Sequence, residues 1–95
     1  PMVADLEEKA DRYESLLADA IEAAEIAPQP GTPLHEGALE CREMAESYLE
    51  DGRHFREQGD PVNALASFSD GHGWLDAGVR LGVFAVPTDG HLFTT

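Results

Sequence analysis

Two short clusters of Pro and Gly divide the chain. Three prolines fall within six residues at Pro28, Pro30 and Pro33, and Gly59-Asp60-Pro61 forms a second break. Proline removes a backbone donor and clashes with the preceding turn, so no helix runs through either cluster. The stretches between them are free of Pro and carry apolar residues at alternating spacings of three and four. In the first these are Val3, Leu6, Ala10, Tyr13, Leu17, Ala20 and Ala24, widened by Leu16 and Ile21. That spacing puts one stripe along an α-helix. The predicted helices cover about 2–26, 33–58 and 61–83. They form an all-α antiparallel three-helix bundle in a single domain, 1–95, with a short C-terminal apolar tail over 84–95.

The breaks also carry cap signals. Thr32 is suited to cap the second helix, with Pro33 at its first position and Glu36 completing the cap spacing. Gly59 suits the position just past a helix end, and Asp60 then caps the third helix with Pro61 at its first position. The seam of the second helix is Ala38, Cys41, Ala45, Tyr48, Gly52 and Phe55, widened by Met44 and Leu49. That of the third is Val62, Leu65, Phe68, His72, Leu75, Val79 and Val83. Gly71, Gly73, Gly78 and Gly82 lie in this third segment, and each costs about 1 kcal/mol relative to Ala inside a helix. Gly71, Gly78 and Gly82 fall near one face, where close approach of another helix offsets that cost. The tail holds Phe84, Val86, Leu92 and Phe93 around the turn signal Pro87-Thr88-Asp89-Gly90, which fits a hairpin or an extended flap.

Charge narrows the functions. Nineteen Asp and Glu face six Lys and Arg, a formal net charge of −13, and Lys9 is the one lysine. Such a surface repels nucleic-acid backbones and anionic membranes, and no apolar run is long enough to span a bilayer. The same excess fits a salt-rich cytosol, where the Debye length shrinks to about 3 Å near 1 M salt. Cys41, alone of its kind, reads as a reduced thiol packed in a cytoplasmic protein. The start of the chain lacks a basic and apolar leader, and Pro1 before Met2 reads as the remnant of a cleaved tag.

Catalytic constellations are sparse. His72 and Asp76 stand four apart on one helical face, and His54 follows Glu50 and Asp51. Together His54, His72 and Asp76 make a weak metal-binding or hydrolytic set, whereas carboxylate-bridged metal bundles need Glu-x-x-His on two helices. His72 on the apolar stripe otherwise reads as a buried, hydrogen-bonded histidine. Ser67 and Ser69 lack a nucleophile elbow, and Gly71-His72-Gly73 lacks the third glycine of a phosphate loop. No Arg precedes a His by the five to seven positions that some small helical ribonucleases use. No catalytic residue and no cofactor is expected.

Gly52, Phe55, Ala64, Phe68 and Gly71 match the small and large positions of one tetratricopeptide hairpin, a pattern that any tight helical hairpin shares. The apolar surplus therefore favours a non-enzymatic interaction module, a homo-oligomer or an adaptor for another protein. Its candidate contacts are Trp74, Phe84 and Phe93, with Gly71, Gly78 and Gly82 as the close-approach face. An RNA-associated role is the further alternative, and charge opposes it.

The corner Gly59-Asp60-Pro61-Val62-Asn63-Ala64-Leu65-Ala66 and the segment Gly73-Trp74-Leu75-Asp76-Ala77-Gly78 together resemble a family of short archaeal proteins, domain-of-unknown-function family 357. The resemblance is strongest over 44–84 and looser over the first helix. It implies a compact helical fold and an archaeal source, haloarchaeal given this composition. It implies no activity, cofactor or catalytic residue.

Overall fold

The computed structural model describes residues 2–87 and 92–93. Three helices run up, down and up: α1 (Met2–Ala23), α2 (Pro33–Glu57) and α3 (Pro61–Arg80). Thr32 Oγ1 accepts from the His35 amide at 3.2 Å and donates to the Gln29 carbonyl at 2.7 Å, so one side chain closes the loop and caps α2. His35 Nδ1 donates to the Pro28 carbonyl at 3.0 Å and ties down the same loop. Asp60 caps α3 by accepting from the Asn63 amide at 3.1 Å.

The exits of α2 and α3 use one device. Gly59 (φ +74°) and Gly82 (φ +81°) take the left-handed conformation just past α2 and α3. After α2 the Gly59 amide donates to Arg56 O and the Asp60 amide to Phe55 O. After α3 the Gly82 amide donates to Val79 O and the Val83 amide to Gly78 O. These bonds satisfy carbonyls that a helix end leaves unpaired.

Several expectations need correction. α1 ends at Ala23, and α3 ends at Arg80 instead of Val83. Glu25–Ile26 (β1) pairs antiparallel with Phe84–Ala85 (β2), in the register Glu25↔Ala85 and Ile26↔Phe84. The start of the tail is thus a strand against the exit of α1, and the Ala27 amide extends the ladder by donating to the Val83 carbonyl. The turn expected at Pro87–Gly90 falls on residues outside those described. Gly82 is a helix terminator with open space around it, so it is not part of a close-approach face.

The core joins Leu17, Ala20 and Ala24 of α1, Ala38, Ala45 and Leu49 of α2, and Ala64, Phe68 and Leu75 of α3. Val83, Phe84 and Phe93 cover it. Alanines and glycines dominate the contacts, so backbones approach closely. A β-carbon on Gly71 would come within 2.8 Å of Leu17 Cδ2, 3.0 Å of Tyr48 Cβ and 3.2 Å of the Ala45 carbonyl oxygen. α3 is rotated relative to the expected seam. Its buried residues are Ala64, Ser67, Phe68, Gly71, Leu75 and Gly78, while Val62 is 61% exposed. Small size, more than hydropathy, decides what faces inward where helices touch this closely.

Candidate functional site: a histidine cleft and a neutral helix face

α3 presents two features on different sides. The first is a cleft of about 360 Å³ between α1 and α3, bordered by Leu92 and Phe93 and lined also by Tyr13, Leu16, Phe68, Ser69, His72, Gly73 and Asp76. The helical repeat places Asp76 one turn beyond His72. His72 Nδ1 lies 3.0 Å from Asp76 Oδ2. A carboxylate can only accept, so Nδ1 donates to it. His72 Nε2 is shut off from solvent and has no hydrogen-bond partner among the described residues. The ring of Phe93 leans on the imidazole, with centroids 5.8 Å apart and planes at 41°.

The second feature is the outer face of α3. Exposed residues on α2 include seven acidic side chains (Glu36, Glu40, Glu43, Glu46, Glu50, Asp51 and Glu57) against one basic, Arg53. On α1, Asp5, Glu8, Asp11, Asp19 and Glu22 outnumber Lys9 and Arg12. On α3 the exposed residues are Val62, Asn63, Ala66, Ser69, Asp70, Gly73, Trp74, Ala77 and Arg80, so one acid balances one base. Trp74 is 40% exposed and borders a shallow groove with Tyr48, Asp70, Gly73 and Ala77.

α1 and α2 are joined by ion pairs on a third side. Arg53 Nε lies 2.8 Å from Glu14 Oε2, and Arg56 Nη1 lies 2.7 Å from Glu14 Oε1 and 3.3 Å from Asp11 Oδ1. Burial pushes the Glu14 carboxyl up, but the hydrogen bonds and charges of the two arginines outweigh it and hold it below its ordinary value.

The residues singled out in the sequence separate accordingly. His72 and Asp76 meet, whereas His54 is exposed on α2 and does not join them. Among the described residues no three His, Cys, Asp or Glu side chains gather as metal ligands. The set His54, His72 and Asp76 is therefore corrected to the pair alone. Trp74 stays exposed. Phe84 and Phe93 are buried in the chain's own core. Gly71 and Gly78 are buried, Gly78 against Phe84 and Val83. Two features escaped the sequence reading. Tyr13 was placed in the seam but is 39% exposed at the cleft. The neutral face went unnoticed, although the scarcity of Glu and Lys in 61–80 signals it.

Among the described residues no helix is long and apolar enough to cross a membrane. No curated protein and no solved structure matches the chain. A family model described as "Protein of unknown function (DUF357)" matches residues 12–84, which take in the second half of α1, all of α2 and α3, and the first residue of β2. The chain belongs to the DUF357 family.

Proposed function

We propose that the protein is a non-enzymatic helical interaction module that pairs with a second copy of itself through the outer face of α3. The carrying observation is the near-neutral apolar face around Trp74 on a chain of net charge −13. Two copies meeting on α1 or α2 would bring acid against acid, and on α3 they would not.

The face is also self-complementary. At 100° per residue, Asp70, Gly73, Ala77 and Arg80 fall within about 80° of arc. They are symmetric along the helix about the level of Leu75. In an antiparallel pair related by a two-fold axis there, Asp70 of each copy faces Arg80 of the other, and Gly73 faces Ala77. Small residues at the crossing let the backbones approach, and Trp74 flanks them. A strip about 30 Å long and one helix wide offers a few hundred Å² per copy, below the roughly 800 Å² of a stable interface. Pairing is accordingly weak and reversible.

The acid excess supports a salt-rich cytoplasm as the setting, since salt screens the repulsion between copies. Sedimentation velocity in molar salt tests the reading. A concentration-dependent two-chain species, weakened by Trp74→Ala with the helical signal intact, supports it. A monomer at every concentration overturns it.

A further inference from the structure

The cleft between α1 and α3 has two kinds of wall and lies apart from the face used in self-association. Tyr13, Leu16 and Leu92 supply apolar surface, while Ser69 and Asp76 supply polar atoms. Among the described lining residues there is no Lys or Arg, and Asp76 is the one carboxylate. Its side chain keeps 25% of its surface accessible. His72 Nδ1 donates to Asp76 Oδ2 at 3.0 Å. A carboxylate has two oxygens and about four lone-pair sites, so a bond from a neutral imidazole orients the group and leaves its negative charge in place. His72 Nε2 is buried and takes no part.

A fixed negative charge beside aliphatic and aromatic surface suits an organic cation. The carboxylate pairs with a charged donor, and the half-exposed ring of Tyr13 attracts the same charge through its π-system. The volume of about 360 Å³ is at the small end of ligand pockets. A net charge of −13 also raises the local concentration of cations.

We propose that this cleft binds a small primary ammonium ion with an apolar body, its charge paired with Asp76. An anion meets Asp76 with like charge, and a neutral ligand leaves that charge uncompensated. A bare calcium ion needs six or more oxygen ligands, and among the described residues no metal-ligating group gathers here.

Benzylamine, cationic near neutral pH, and benzyl alcohol are matched probes, similar in shape and differing in charge. Both are titrated at one salt concentration into the intact chain, followed by amide NMR. Benzylamine is expected to shift the Ser69, Gly73 and Asp76 amides saturably and to bind about tenfold more tightly than benzyl alcohol. Asp76→Asn is expected to bring benzylamine down to the affinity of the alcohol. Glu43→Gln removes the same charge from an exposed position on α2 and is expected to leave the preference unchanged. The comparison in the native chain needs no variant: equal affinities there, or shifts spread along the acidic face of α2, would overturn the proposal. So would a preference that survives Asp76→Asn, or one that both substitutions reduce equally.

Discussion

The ring of Phe68 occupies the space that a β-carbon on Gly52 would need. α2 and α3 interlock through this contact, with Phe68 only 1% exposed. In an isolated helix Gly→Ala is favourable by about 1 kcal/mol. At position 52 the added methyl must displace a packed ring, and overpacking of this kind costs about 1–3 kcal/mol. Gly52→Ala is thus expected to lower stability by about 1 kcal/mol or more in urea melts. Gly37 sits in α2 with nothing near its missing β-carbon, and Gly37→Ala is expected to raise stability by about 0.5–1 kcal/mol. Equal effects at the two sites would contradict the packing described.

Gly82 makes the opposite case, open space with a demanding backbone. Its φ of +81° is strained for any residue with a side chain. Gly82→Ala is expected to cost about 1 kcal/mol, and Gly82→Asn less, since Asn tolerates the left-handed region. Thermal melts of the two variants check the order.

Acid should weaken the α1–α2 contact in a defined window. The Glu14 carboxyl is held below its ordinary value near 4.5 in the folded protein. Its contribution is complete above the unfolded value and disappears as pH falls through the lower, folded one. Glu14→Gln is expected to cost about 0.5–1 kcal/mol near neutral pH, and this difference from the native protein should close well below pH 4.5. A difference that stays constant down to strong acid would show that the pairs with Arg53 and Arg56 contribute nothing.

Salt should act on the acidic helices first. Glu36, Glu40, Glu43, Glu46 and Glu50 follow one another at spacings of three and four along α2. Like charges so placed are neighbours on a helix and destabilise it by about 0.2–0.5 kcal/mol per pair. Screening removes much of this. Circular dichroism is expected to show helicity falling as salt is dialysed away. A signal independent of salt would contradict that expectation.

The three helices and both corners were legible because their determinants are local. Thr32, Gly59, Asp60 and Pro61 act within four residues of where they stand, and each does in the structure what its chemistry dictates. The pairing of Glu25–Ile26 with Phe84–Ala85 joins segments about 60 residues apart through backbone atoms, and no side-chain pattern announces it. The rotation of α3 was hidden for another reason. Val62 outranks Ser67 in hydropathy, yet Ser67 is 8% exposed and Val62 faces water, because close helix packing selects for size. Within the cleft, the spacing of His72 and Asp76 was visible. The contact of the Phe93 ring with His72 joins positions about 20 residues apart, and no spacing in the sequence announces it.

Self-pairing through α3 is tested most directly by swapping the charges that its two-fold arrangement opposes. Sedimentation equilibrium is measured at the lowest salt that sustains the native two-chain species. Asp70→Arg and Arg80→Asp, each placing like charges across the contact, are expected to weaken association several-fold. The double variant restores opposite charges and is expected to recover it. Association that ignores all three substitutions, or a double variant no better than either single one, would contradict the pairing.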